Sequence, residues 1–147
     1  MSDKSARRDS RIIAVEVLFA YLARKEKVSF DETFLHVLTE VEEKTNDEFA
    51  EKILKAAVEN VKKIKIIIRA FAPEFPLNKI APINLAILIL GIAEMKFIET
   101  PPVVVINEYI EIAKMFGEDK SAGFMNGVLD AFRKNLGLDR SKKKEEN

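Results

Sequence analysis

Residues 107–127, N-E-Y-I-E-I-A-K-M-F-G-E-D-K-S-A-G-F-M-N-G, contain the pattern that best defines this fold: a helix, a stop, a charged turn and a second helix. Apolar residues up to the stop recur at three- and four-residue intervals, on one helical face: Ile106, Tyr109, Ile110, Ala113 and Phe116. Gly117 follows the last of them, where a left-handed cap usually ends a helix. Asp119 and Ser121 then offer side-chain oxygens to the free N–H groups of the next helix. The stretch therefore predicts two consecutive helices joined by a short turn.

The rest of the chain shows the same helical periodicity, interrupted by only five glycines and five prolines. Further helices are predicted over 6–24, after Ser29 or Asp31, from about Asp47 to Phe71 and from Ile83 to Phe97. The helices of the opening pattern cover Val103–Phe116 and about Ser121–Leu136, with Gly137 placed to end the last. The sequence predicts an all-α fold of six or seven helices, with the very apolar Ile83–Phe97 helix as its buried centre.

Length and composition favour a single soluble domain. The 24 basic and 24 acidic residues cancel, so affinity for nucleic acid requires a local patch. Without cysteine, disulfides are excluded and zinc-finger chemistry is disfavoured. The N-terminus lacks the apolar core of a signal peptide, and no run reaches the ~20 apolar residues that cross a bilayer. We expect a cytoplasmic protein with no membrane partner, a domain over 1–138 and a charged, disordered tail over 139–147.

The segment from Ile106 to Asp130 resembles the C-terminal signature of the NusB transcription antitermination family. That signature reads roughly I-N-E-A-(I/V)-E-L-A-K-x-(F/Y)-G, two or three polar residues, and S-x-K-F-(V/I)-N-G-(V/I)-L-D. The resemblance implies two packed helical sub-bundles around the central apolar helix. It also implies a protein that, with the ribosomal protein NusE, binds single-stranded boxA-type RNA and promotes read-through in ribosomal RNA operons. The RNA polymerase elongation complex would then be an indirect partner.

Four cations near the N-terminus, at spacings 0, 3, 4 and 7, share one helical face: Lys4, Arg7, Arg8 and Arg11. Positive charge at a helix N-terminus opposes the helix dipole, so this stripe makes more sense if an anion binds there. Solvated charges on a frayed terminus are the other interpretation. The resemblance favours RNA, because members of the family open with an arginine-rich stretch that contacts RNA. On this interpretation, replacing all three arginines with alanine abolishes RNA binding and leaves the melting temperature nearly unchanged.

The turn before the last helix completes this RNA surface by resemblance, through Lys120, Ser121 and Phe124. A helix N-terminus offers N–H groups to phosphate, and an aromatic ring offers a stacking face to an unpaired base. A core position for Phe124 fits the pattern equally well. Gly123 stands where the family has lysine, and Lys120 where an acid is common. We expect the patch to keep its positive sign while its charge moves by one turn.

The central helix departs from the family pattern, which reads roughly v-D-R-a-I-L-R-L-A-x-Y-E-L. Here Asn84 replaces the acid, Leu85 and Ile89 replace the two arginines, and Ala93 replaces the tyrosine. We expect an altered partner surface at Asn84, Leu85 and Ile89. Its partner is either NusE or, if Leu85 and Ile89 are exposed aliphatic side chains, a second copy of the chain in a homodimer.

Nothing in the sequence predicts an enzyme. His36 is the single histidine, cysteine is absent, and neither a G-x-S-x-G motif nor a phosphate-binding glycine loop occurs. No cofactor or metal site is predicted. The leading hypothesis is an RNA-binding antitermination factor. The alternative is a protein–protein adaptor of the NusB fold that has lost specific RNA binding. Its partner would be another protein or, in a self-associating form, a second copy of the chain bound through Leu85 and Ile89.

Overall fold

The structure is a computed structural model that describes residues 3–23 and 47–146, with side chains described over 6–23 and 47–137. These residues form six α-helices and no strand: α1 Asp3–Ala23, α2 Glu48–Glu59, α3 Val61–Phe71, α4 Pro82–Ala93, α5 Pro102–Met115 and α6 Asp119–Glu146. The predicted all-α fold is confirmed. The helix predicted after Ser29 or Asp31, with His36, lies outside the described residues, and so does the side chain of Lys4.

Helix α4 is the buried centre of the fold. Every residue from Ile83 to Ala93 is buried, and the helix contacts each of the other five described helices. Helix α1 packs against α2, and α5 packs against α6. A helix that is apolar on all sides is stable in water only when other elements enclose it. The described helices thus form two packed groups around a central apolar helix, as the family resemblance implies.

The long helix predicted from Asp47 to Phe71 is two helices, because Asn60 interrupts it. The backbone of Asn60 lies outside the helical region, with a φ of −116° and a ψ of 17°. The Asn60 side-chain amide donates a hydrogen bond of 2.8 Å to the carbonyl of Ala56. Asparagine side chains compete in this way with the backbone hydrogen bonds of a helix. The resulting bend separates α3 from α2.

Two other helix ends differ from their predicted positions. The central helix stops being α-helical at Ala93, and Glu94–Ile98 form a π-helical turn. That turn ends at Glu99, which has a left-handed φ of 60°. Gly137 does not end α6, since its φ is not positive and the helix continues to Glu146. The residues beyond it are mostly strong helix formers. The domain boundary at 138, with a separate tail over 139–147, stays a prediction.

The turn between α5 and α6 has the predicted glycine cap. Gly117 has a φ of 80°, and its N–H donates to the carbonyl of Lys114 at 3.0 Å. The N–H of Glu118 donates to the carbonyl of Ala113 at 2.9 Å. These hydrogen bonds satisfy the last carbonyls of α5. The chain then enters α6 at Asp119, which brings the start of α6 alongside α5.

Helix α1 is anchored to the start of α2 through one carboxylate. The hydroxyl of Ser10 donates to Asp47 Oδ2 at 2.7 Å. The other oxygen of Asp47 accepts from the N–H of Ala50 at 3.0 Å and so caps α2. This shared carboxylate fixes α1, and with it the N-terminal arginines, relative to the rest of the fold.

Candidate nucleic-acid interface

The cation stripe predicted on α1 divides into exposed and buried members. Arg7 is exposed, and the side chain of Arg8 is 38% exposed. The side chain of Arg11 is only 2% exposed. Arg11 therefore does not lie on the surface, and its prediction as an RNA contact is wrong. The helical spacing is as predicted, but packing encloses the inner end of the stripe.

Arg11 is enclosed because it pairs with Glu94 at the end of α4. Its Nε donates to the two carboxylate oxygens at 3.0 and 3.1 Å, and its Nη2 donates to Oε1 at 2.6 Å. The Phe49 ring lies against the guanidinium, with its centroid 5.5 Å from Cζ. Burial, and then the charge of Glu94, raise the pKa of the neighbouring Tyr109 well above its ordinary value. This ion pair holds α1 against α4.

Arg8 is held at the surface by a second helix. Its Nε donates to Glu108 Oε2 at 2.7 Å and its Nη2 donates to Oε1 at 3.2 Å, a bidentate pair with α5. The hydrogen bonds to Glu108 and the charge of Glu108 raise the pKa of Arg8 above its ordinary value, and the charge of Glu111 makes a smaller contribution. A guanidinium has five N–H donors. Arg8 can therefore remain paired with Glu108 and still meet a phosphate from its exposed side.

Arg7 is the outermost described member of the stripe. Its Cζ lies 5.0 Å from the centroid of the Phe49 ring, a distance typical of a cation–π contact. Phe49 thus contacts both Arg7 and Arg11, although it belongs to α2. Its position in the sequence gives no signal for this role, because only the packing of α2 on α1 brings the ring there.

A groove of about 370 Å³ separates α5 from the start of α6, lined by Asn107, Ile110, Glu111, Lys114, Ala122, Gly123 and Asn126. Arg8 pairs with Glu108, and Asn107 and Glu111, on either side of Glu108 in the sequence of α5, line the groove, so the groove lies close to Arg8. A Cβ atom on Gly123 would meet nothing within 4 Å. The missing family lysine therefore leaves open space in this wall. Lys114, which lies 3.5 Å from Glu111, is the cation that lines the groove.

The three predicted contacts at the start of α6 do not share one environment. Lys120 is exposed and does not line the groove. Ser121 is half-buried, and its N–H donates to the carbonyl of Glu118 at 3.1 Å. The half-buried Phe124 ring packs edge-to-face on Phe75, with centroids 4.9 Å apart. Contact of these residues with RNA stays a prediction, and Phe124 would act from a neighbouring part of the surface.

The partner surface predicted on the central helix is not exposed. Asn84, Leu85 and Ile89 are 5%, 9% and 1% exposed. The prediction that Leu85 and Ile89 are exposed aliphatic residues is therefore wrong, and a homodimer built on them loses its basis. Both side chains are buried because the other described helices enclose α4, and apolar residues suit such a position. The side-chain oxygen of Asn84 is buried and has no hydrogen-bond partner among the described residues.

In residues 3–23 and 47–146, no helix combines the length and apolar character needed to span a bilayer. Within the same ranges, no three histidine, aspartate or glutamate side chains are grouped in a way that could hold a metal ion.

Known proteins resemble this chain over most of its length. The model of the NusB family matches residues 8–134. The transcription antitermination protein NusB of Chloroherpeton thalassium is 40% identical, over 86% of this chain and 60% of its own length. The NusB protein of Oleidesulfovibrio alaskensis is 35% identical, over 91% of each chain. A crystal structure of antitermination factors NusB and NusE in complex with dsRNA superposes with a TM-score of 0.70 at 28% identity, over 89% of this chain and 98% of that one.

Proposed function

The chain belongs to the NusB family, and on this basis we propose that it is an RNA-binding transcription antitermination factor that works together with NusE. One observation carries the proposal. Arg8 of α1 pairs with Glu108 of α5, and Asn107 and Glu111 on either side of Glu108 line the groove between α5 and α6, so this part of α1 adjoins the groove. The similar solved complex contains both NusE and RNA, although its RNA is double-stranded.

The proposed ligand is a single-stranded boxA-type RNA, and the proposed setting is read-through in ribosomal RNA operons in the cytoplasm. Sequence-specific proteins read RNA mainly where its bases are unpaired and can leave the stack. The amides of Asn107 and Asn126 line the groove and offer both donors and acceptors to base edges. Arg8 pairs with Glu108 beside the groove and offers a cation to phosphate. Arg7 is the exposed residue before it on α1, over the Phe49 ring, and offers a second.

The proposed mechanism is assembly without catalysis. Each phosphate contact on a single strand contributes about −0.7 to the slope of log affinity against log salt. The described surface offers few exposed cations, so it binds RNA weakly by itself. NusE adds a second binding surface, and RNA that touches both proteins is held more tightly than by either alone. The assembled complex then associates with the elongating RNA polymerase.

Fluorescence anisotropy of a labelled boxA-type RNA, with and without NusE and at several salt concentrations, tests this function. We expect tight binding only with NusE, and affinity that falls as salt rises. An RNA with the same bases in scrambled order is the control for sequence recognition. Lys134→Ala is the control for a general effect of losing one surface charge on RNA affinity. Lys134 is 69% exposed on α6 and pairs with Asp130, and it does not line the groove.

The rival function is a protein–protein adaptor of the same fold. Gly123 favours it, since the groove lacks the cation that the family signature has there. Flat anisotropy in every condition, together with normal capture of NusE, would support the adaptor and refute RNA binding. Weak binding of both RNAs with equal affinity would show electrostatic attraction alone and would refute the boxA assignment.

A further inference from the structure

Helix α3 has a concentration of positive charge that the proposed function does not use. Its sequence, V-K-K-I-K-I-I-I-R-A-F, has four cations and no carboxylate, in a chain with equal numbers of basic and acidic residues. Lys62, Lys65 and Arg69 are spaced 0, 3 and 7 and so share one helical face. Lys63 lies on a different face of the same helix.

This cationic face borders a groove of about 700 Å³ between α3 and the segment that follows it. Lys65 and Arg69 form its basic wall, while Ala72 and Leu77 contribute apolar surface. Burial lowers the pKa of Lys65, and the positive charge of Arg69 lowers it further. The two cations are one helical turn apart on the same wall, so both attract a phosphate placed beside them.

An aromatic ring at the edge of the groove connects it to the start of α6. Phe75 lines the groove and is 47% exposed. Its ring packs edge-to-face on Phe124, at a centroid distance of 4.9 Å and an angle of 63° between the ring planes. Phe124 is a predicted RNA contact. The α3 groove is therefore continuous with the proposed RNA surface through this aromatic pair.

We propose that the α3 groove is a second binding site for single-stranded RNA, in which Phe75 stacks on a base and Lys65 and Arg69 hold neighbouring phosphates. This inference rests on the proposed function and extends its RNA path beyond α6. A cationic groove with an exposed aromatic ring is the usual combination for unpaired nucleic acid. An acidic protein segment would satisfy the charges, but it would not use the Phe75 ring, which lies next to the predicted RNA contact Phe124.

The test compares a minimal boxA-type RNA with the same RNA lengthened by about six nucleotides, a length within the footprint of a small single-strand-binding domain. Extensions are placed at the 5′ end or at the 3′ end, and anisotropy is measured with NusE at several salt concentrations. We expect one extension to tighten binding to the wild-type protein. Arg69→Gln should cancel that gain and reduce the salt slope for the long RNA by about 0.7. The matched control, Lys63→Gln, removes one charge from the same helix and should change neither value.

The aromatic ring is tested separately. Phe75→Ala should weaken binding of the long RNA by about fivefold or more, since one base stacked on an aromatic side chain contributes roughly 1–3 kcal/mol. Phe75→Tyr keeps the stacking face and should bind both RNAs like the wild type. Melting temperatures of both variants show whether a loss comes from unfolding. The minimal RNA should bind all folded variants equally.

The outcomes separate this site from the proposed function. Wild-type protein that binds neither RNA refutes the proposed function and this site together. Equal binding of the minimal and lengthened RNAs refutes only this site. If Arg69→Gln loses capture of NusE and weakens the minimal and the lengthened RNA to the same extent, the groove belongs to a protein partner and the inference is overturned.

Discussion

Arg11 and Glu94 form an ion pair that is closed to solvent, with Nη2 and Oε1 2.6 Å apart and side chains 2% and 0% exposed. The two residues are 83 positions apart in sequence. The pair ties α1 to the π-helical turn at the end of α4. It makes one of the N-terminal arginines part of the core, while its two neighbours stay at the surface.

Breaking this pair from one side should be costly. Arg11→Ala leaves a buried carboxylate without its partner, and we expect the free energy of unfolding to fall by about 3–5 kcal/mol. Replacing both residues, as Arg11→Met with Glu94→Leu, should recover most of that loss, because apolar residues of similar volume often replace a buried pair at little cost. Urea denaturation followed by circular dichroism measures both. A loss below about 1 kcal/mol for Arg11→Ala would show that the pair is not closed to water.

The expectation that alanine at all three arginines leaves the melting temperature unchanged therefore no longer holds. Arg7→Ala should keep the free energy of unfolding within about 0.5 kcal/mol, because surface substitutions rarely do more. It should reduce the salt slope of RNA binding by about 0.7, the contribution of one phosphate contact. Anisotropy of the NusE-bound protein measures the slope, with Lys134→Ala as the control for charge. An unchanged slope would remove Arg7 from the RNA surface.

Gly123 offers a gain-of-function test at the α5/α6 groove. Gly123→Lys restores the cation of the family signature, and its Cβ meets open space. We expect tighter RNA binding and a salt slope steeper by about 0.7. Gly123→Ala is the matched control. It should gain about 0.5–1 kcal/mol of stability, as alanine replaces glycine within a helix, without changing the slope. Identical slopes for both variants would show that RNA does not reach this wall of the groove.

Tyr109 should make the protein sensitive to alkaline pH. Burial and the charge of Glu94 raise its folded-state pKa well above the ordinary 10.0. The phenol of the unfolded chain ionises near pH 10, whereas the buried phenol stays neutral to higher pH. Tyr109 therefore contributes fully to the free energy of unfolding below about pH 10, and this contribution is lost as the pH rises above that value. Tyr109→Phe, which cannot ionise, should lose less stability between about pH 9 and 11. Urea midpoints across that range measure the difference, and parallel pH profiles would contradict it.

Most of the fold features that were predicted correctly depend on residues close together in the sequence. The helical periodicity of 106–116 and the glycine at 117 correctly placed α5 and its left-handed cap. Helix α6 begins at Asp119, two residues before the predicted start at Ser121. Proline at the start of α4 likewise marked a helix beginning. Such features depend on backbone geometry within a few residues. Asn60 was harder to interpret, because its side chain could have faced solvent as easily as it bonded to Ala56.

In the candidate site, too, some features follow from spacing along one helix and others from packing between helices. The helix content, the apolar centre and the four-cation face of α1 could be predicted from the sequence, since each depends on spacing along one helix. Which of those cations can meet RNA depends on how the helices pack. Glu94 is the acid within the most apolar part of the chain, and a charge buried there requires a counterion. Arg11 provides it because α1 packs against α4, and the enclosure of α4 by five helices likewise buries Leu85 and Ile89. Burial and pairing depend on elements that are distant in sequence, and spacing along a single helix contains no information about them.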